Sequence, residues 1–177
     1  DYSDRFGYWV SRFALAGDGP VLVPDTPTQP TETLDVRDIA AFLIDVGVSE
    51  RGDLHGPVNV TGAQRTLGEV LDRAAALAGF TGRMVPAAPS WLTEHQVGPW
   101  SGPRSLPLWL PMPEYAGFTT RDDSRALSWG LTRRPLDDTL RATLADERAR
   151  GLDRTRKAGL TRADELELID ALVATTG

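Results

Sequence analysis

Apolar positions along this chain recur with a helical period and a strand period in turn. Over residues 4–16, Phe6, Trp9, Val10, Phe13 and Ala14 fall at i, i+3, i+4, i+7 and i+8 spacing. That spacing predicts one apolar face of a helix, and Gly17 ends it. Residues 20–24 (Pro-Val-Leu-Val-Pro) predict a short strand bracketed by prolines, and 25–31 a polar, proline-rich loop. A strand-like run over 33–38 leads to a strongly apolar helix over 39–46, with Asp38 placed to cap its free N–H groups. Residues 57–62 (Pro-Val-Asn-Val-Thr-Gly) read as a short buried strand ending in a turn. Thr66 and Glu69 form a capping-box pattern that opens a helix over 67–78. A further strand is expected over 83–86, and helices over 122–129, 136–150 and 161–173, the last two amphipathic.

The texture changes over 86–113, which holds seven of the thirteen prolines and three of the five tryptophans. No long regular element survives that many prolines. Large aromatics are costly to leave in water, so the segment is expected to be an ordered lid or wall. Strands and helices alternate, which indicates an α/β fold, yet four or five short strands fall below the roughly six of a complete doubly wound sheet. The helix over 39–46 is too apolar to face water on any side. It is expected to pack on a sheet made mostly elsewhere.

Composition narrows the function. The 177 residues carry a net charge of −6, which gives no electrostatic help with phosphate backbones and argues against nucleic acid. There is no cysteine, so disulfides, thiolate catalysis and Cys-ligated zinc are excluded. The longest apolar runs are too short to span a bilayer, and a cytoplasmic location without membrane attachment is expected. The chain begins at Asp1 without an initiator Met. It contains neither a glycine-rich phosphate loop nor a Tyr-x-x-x-Lys pair. Two readings follow: the second half of an enzyme, which is preferred, or a binding module with no turnover of its own.

Five segments in order carry a resemblance: Asp1-Tyr2-Ser3-Asp4-Arg5-Phe6, Val21-Leu22-Val23-Pro24, Leu34-Asp35-Val36-Arg37-Asp38-Ile39-Ala40, Val58-Asn59-Val60-Thr61-Gly62 and Asp122-Asp123-Ser124-Arg125-Ala126. Together they resemble the C-terminal half of extended short-chain dehydrogenase/reductases, the NAD-dependent epimerase/dehydratase family. The run Arg134-Pro135-Leu136-Asp137-Asp138-Thr139 is similar to the end of actinobacterial reductase-like members. The resemblance implies that residues 1–177 form the substrate-binding half of an NAD(P)-dependent oxidoreductase or epimerase with a Rossmann-type fold. NAD or NADP would be bound mainly by an N-terminal half absent from this chain, which would be its partner. Such a half would be inactive alone, and no catalytic residue carries over to it. Family members acting on nucleotide sugars often have an arginine at the position held here by Thr31. The resemblance therefore points to a smaller or unactivated carbonyl or sugar-like substrate.

Among individual residues, Tyr2, Arg5, Trp91, Trp100, Arg104 and Trp109 are the candidates to line a substrate pocket. Tyr8 belongs to the same aromatic set, whereas Trp9 and Trp129, at helical spacing with apolar neighbours, are expected in the core. His55 and His95 lack partners at triad or metal spacing. Arg37 is expected in a structural ion pair, and Asp122 as a cap. The basic run Arg148, Arg150, Arg154, Arg156 and Lys157, interleaved with Asp146, Glu147 and Asp153, is expected to be a solvated helix end and linker. A homo-oligomer is a further expected partner state.

Overall fold

A computed structural model describes residues 2–50 and 55–176. The order of elements is α1 (Phe6–Ala16), β1 (Val21–Pro24), β2 (Pro30–Glu32), α2 (Val36–Gly47), β3 (Gln64–Thr66), α3 (Leu67–Ala78) and β4 (Met84–Ala87). Then follow α4 (Pro89–Glu94), β5 (Gly98–Pro99), β6 (Ser105–Leu106), α5 (Ser124–Ser128), α6 (Leu136–Arg150) and α7 (Arg162–Thr176). The fold is mixed α/β. Among the described residues the strands make three small pairs: β1 with β4 and β5 with β6 are parallel, and β2 with β3 is antiparallel.

The apolar spacing of α1 buries Trp9, Val10 and Phe13, as expected, and Gly17 stops the helix at φ +62°. Helices α1, α3 and α6 pack against one another, and α7 covers β1. Leu67, Val70, Leu71 and Ala74 of α3 meet Leu136, Leu140 and Leu144 of α6 in the same core. Each fully buried side chain of this size contributes about 1.5–3 kcal/mol over leaving it in water. The α3 cap is half of a capping box: Thr66 Oγ1 accepts from the Glu69 N–H (3.2 Å), but the Glu69 carboxylate turns to Arg65 and Arg73.

The proline-rich stretch is ordered, and its continuous buried part runs over 105–110. Trp109 is 1% exposed, and Trp9 Nε1–H donates to the Pro107 carbonyl (2.7 Å). Buried Gln29 clamps the wall from both directions, donating to the Leu108 carbonyl (2.8 Å) and accepting from the Leu110 N–H (3.0 Å). Gln96, Trp100, Arg104 and Leu108 all hold left-handed backbone. That geometry breaks the stretch into the short elements α4, β5 and β6 and turns the chain sharply enough to bury consecutive side chains over 105–110.

Several expected elements differ. Helix α2 starts at Val36 rather than 39, because Asp35 is the cap: its Oδ1 accepts from the Arg37 N–H (2.9 Å). Asp38 lies one turn inside and accepts from the Arg134 N–H (3.0 Å) and guanidinium instead. Residues 33–35 therefore form a short connection and not the end of a strand. Residues 57–62 do not pair as a strand among the described residues; side chains hold the segment. Asn59 donates to the Asp122 carbonyl, and Arg133 Nε donates to the Thr61 carbonyl. At Gly62 a Cβ would sit 1.8 Å from the Thr33 carbonyl oxygen, so only glycine lets these two backbones cross. Helix α5 is shorter than expected and α7 runs further towards the C-terminus.

The basic run after α6 is not solvated linker. Glu147, 1% exposed, accepts from Arg156 (2.6 Å), Arg154 (3.2 Å) and Arg150 (3.4 Å). Asp4, 3% exposed, takes Arg150 (3.3 Å), Arg154 and the Lys157 N–H (3.0 Å). The sequence interleaves these charges, and the chain turn after α6 folds them onto α1. A second buried set joins Arg12, Glu165 and Arg162, and Glu165 Oε1 accepts from the Leu22 N–H (3.1 Å) at the open edge of β1. Beside it, burial pushes the Tyr8 hydroxyl up to about 12.

Two outcomes follow from these networks. Glu147→Ala leaves Arg156 without its carboxylate, and Arg150 and Arg154 with Asp4 as their remaining buried acceptor, and lowers unfolding stability by about 3–5 kcal/mol, read as a shift in urea midpoint. Asp4 sits well below its ordinary 3.8, held there first by the Arg154 hydrogen bond, with burial opposing and the Lys157 N–H assisting. A depressed folded pKa adds stability above the unfolded value and loses it as pH falls through the folded one. Stability of the native chain should therefore decline below about pH 4, and Asp4→Asn should flatten that decline while being less stable at pH 7.

Candidate functional site

A cleft of about 600 Å³ opens between the start of α1, the entry to α2, one face of α6 and the aromatic wall. Ser3, Arg5 and Phe6 form one side, and residues 33–37 form the next. The wall contributes Trp100 and Leu108. From α6 come Thr139, Ala142, Thr143, Asp146 and Glu147. Their spacing of i, i+3, i+4, i+7 and i+8 makes them one helical face, mostly polar, adjoining the core face of Leu136, Leu140 and Leu144, with Glu147 buried at the seam between the two.

Trp100 is fixed where the cleft needs it. Its backbone N–H donates to both the Leu106 (3.2 Å) and Trp109 (3.1 Å) carbonyls, at φ +65°. A bulky residue in that region is strained, and the two hydrogen bonds hold it there. Phe118 meets the Trp100 ring edge-on at 5.2 Å, and Tyr115 meets Phe118 at 6.5 Å. Met112, Tyr115 and Phe118 are all exposed beside them. On the other side the Arg5 guanidinium lies 5.2 Å from the Trp100 ring centre, and Arg5 Nε donates to Ser3 Oγ (3.0 Å).

The α2 entry carries a second charge cluster. Arg37 grips Asp35 with two hydrogen bonds (2.8 and 2.7 Å), the structural ion pair expected for it. Hydrogen bonding from Arg37, opposed by burial and assisted by the Arg37 N–H, holds the Asp35 carboxyl well below the usual carboxylate range. Burial alone would raise Asp38, but the hydrogen bonds and charge of Arg134 more than reverse it, leaving that group lowered too. Both carboxylates are occupied as anchors of α2 to the start of α6.

Of the six residues singled out for a pocket, the structure brings Arg5 and Trp100 together at the cleft. Trp109 lies in the core behind it, with no cleft surface of its own. Trp91 stacks on His95 (3.8 Å between ring centres), whose Nδ1 is 2.9 Å from the Trp91 carbonyl oxygen. Arg104 pairs with Asp164 (2.9 Å). Tyr2 is 84% exposed, with Lys157 Nζ 4.7 Å from its ring centre. His55 is exposed, and its carbonyl accepts from Arg125 (2.7 Å). Asp122 accepts from the Ser124 N–H (3.0 Å) in a turn just before α5, whose N-cap is Asp123 and not, as expected, Asp122. The α6 face was not singled out in the sequence; the signal that marks it is the mostly polar set at 139, 142, 143, 146 and 147, at helical spacing. The 33–37 segment was hidden, because its charges read as cap and ion pair alone.

No helix among the described residues is long and apolar enough to cross a membrane. No cluster of His, Asp or Glu among them could hold a metal ion. No family model matches this sequence, and no curated protein matches it.

The Asp35 geometry has a measurable consequence. Asp35→Ala removes the α2 cap and lowers stability by about 1–2 kcal/mol. Arg37→Ala, whose side chain is 49% exposed, should cost less, about 0.2–1 kcal/mol. Urea unfolding of both variants reads the order directly.

Proposed function

We propose that this chain is the substrate-binding half of an NAD(P)-dependent reductase, epimerase or dehydratase with a Rossmann-type fold, acting on a carbonyl or sugar-like small molecule. The observation that carries this reading is the outer face of α2. Val36, Ala40, Leu43, Ile44 and Gly47 fall at i, i+4, i+7, i+8 and i+11, and all are exposed, with Leu43 at 61% and Ile44 at 64%. Ala40 and Gly47 leave room for a close neighbour along the same stripe. The opposite face has only a small satellite core, in which Phe42 meets Ala126 and Leu131. Covering Leu43 and Ile44 is worth about 1.5–3 kcal/mol each, so a chain that leaves both in water has a strong drive to acquire a partner surface. The extended segment 57–62, packed through Val58 and Val60 on that satellite core and unpaired as a strand, fits the rim of a sheet supplied by another polypeptide.

In this reading the second polypeptide carries the glycine loop and the Tyr-x-x-x-Lys pair. This chain has no glycine-rich entry to a helix that would cradle a pyrophosphate, so no dinucleotide contact is assigned to its residues. The nicotinamide, when bound there, supplies hydride transfer. This chain binds and orients the substrate between Arg5, Trp100 and the α6 face, and its aromatic wall excludes water.

A second reading, a binding module without turnover, draws on the main core, which is closed by α1, α3, α6, β1 and β4 of this chain alone. One experiment separates them. The chain is expressed with the polypeptide encoded immediately upstream, and co-purification and NAD(P)H fluorescence are measured. The enzyme reading expects a complex that binds NAD(P)H, and expects Leu43→Asp with Ile44→Asp to break it while the chain keeps its circular dichroism. A monodisperse monomer that unfolds cooperatively, with no glycine loop or Tyr-Lys pair encoded upstream, overturns that reading in favour of the binding module. A homodimer sealed through the same α2 face also overturns it.

A further inference from the structure

Each carboxylate bordering the cleft has a cationic partner. Asp35 is held by Arg37, Asp146 meets Arg150 (3.5 Å), and Glu147 takes three arginines. Arg5 is different. Among the described residues no carboxylate lies within ion-pair distance of it; its Nε donates to Ser3 Oγ and its face rests on Trp100, which leaves both terminal nitrogens free to donate. Its position adds to the imbalance. Arg5 is the N-cap of α1, where the positive end of the helix dipole disfavours a cation, and no acidic residue lies in the first turn. Among the described residues no carboxylate is paired with that charge, yet the residue is half-buried and aligned by its Ser3 and Trp100 contacts.

We propose that the cleft binds a small molecule bearing a carboxylate on a ring or short apolar body. The carboxylate would accept two parallel hydrogen bonds from the terminal nitrogens of Arg5, the geometry a guanidinium offers best. The body would lie against Trp100, Phe6 and Leu108. A single negative charge matches the one cation lining the cleft that has no carboxylate partner among the described residues. A phosphate would bring extra charge towards Asp146 and Glu147, which border the same space. The proposal rests on the reading of this cleft as the ligand site and adds the chemical class of the ligand.

Calorimetric titration of the 177-residue chain with 4-phenylbutyrate, its neutral amide and phenyl phosphate tests it. The acid should bind at least tenfold more tightly than the amide. Arg5→Gln should bring the acid down to the affinity of the amide without changing the amide, and Arg5→Lys should restore part of the difference. Trp100→Phe, a variant that leaves the cation in place, should weaken acid and amide together. Equal affinity for acid and amide overturns the carboxylate proposal and leaves the cleft a ligand site. Tighter binding of phenyl phosphate than of the acid also overturns it, in favour of a phosphorylated ligand. No binding of any probe overturns the proposal together with the reading of the cleft.

Discussion

Glu147 holds one negative charge at a point where three arginines, α1 and α6 converge, and much of the molecule is arranged around keeping it paired. Arg150 reaches it from the same helix, while Arg154 and Arg156 come back from the turn that follows. Asp4 shares two of those arginines, which ties the segment before α1 to the segment after α6. Removing a buried charge from water is expensive, and the cost is recovered only where geometry and hydrogen bonds are complete. The return of the chain after α6 is therefore constrained to one course. That course carries it past Gly159, where a Cβ would lie 2.2 Å from the Tyr8 ring, and on to α7 over β1.

The cleft inherits its shape from this constraint. Glu147 and Asp146 sit at the end of the α6 face that lines it, and Asp4 precedes Arg5 by one residue. With Asp4 turned inward at φ +62° to meet Arg154, Arg5 is left at the helix cap facing the cleft. The second anchor is the pairing of Asp35 and Asp38 with Arg37 and Arg134, which fixes the entry to α2 against the start of α6. Two charge clusters thus position opposite ends of one cavity, and the aromatic wall closes it. The same anchoring leaves the outer stripe of α2 facing away from the core, where it is free to meet another surface.

Local signals located α1, β1, α3, β4 and α6: apolar spacing for α1 and α6, a capping-box pattern for α3, and short apolar runs beside prolines for β1 and β4. Residues 136–150 were read to the residue. Local chemistry was also legible at Arg37, whose partner is two residues away. Failures cluster where partners are distant in sequence. Residues 57–62 have the composition of a buried strand, but strand formation requires a neighbouring ladder, and none is present among the described residues. Asp38 has the type and position of a cap, yet Arg134, 96 residues on, claims it, and Asp35 caps instead. The arginines after α6 look solvated because their acceptors, Asp4 and a helix-facing Glu147, become neighbours only after α1 and α6 have packed.

The sequence by itself determined the α/β alternation, the principal helices, the irregular aromatic wall and the absence of cysteine chemistry, since these depend on short-range spacing and composition. Tertiary structure alone decided which charges are buried, which of six plausible pocket residues share a cavity, and which face of α2 is left uncovered. Those outcomes depend on distances between segments far apart in the chain. Two aromatic residues of equal local character, Trp100 and Trp109, end in a cleft wall and in the core, with left-handed backbone at Gly102, Arg104 and Leu108 turning the chain between them.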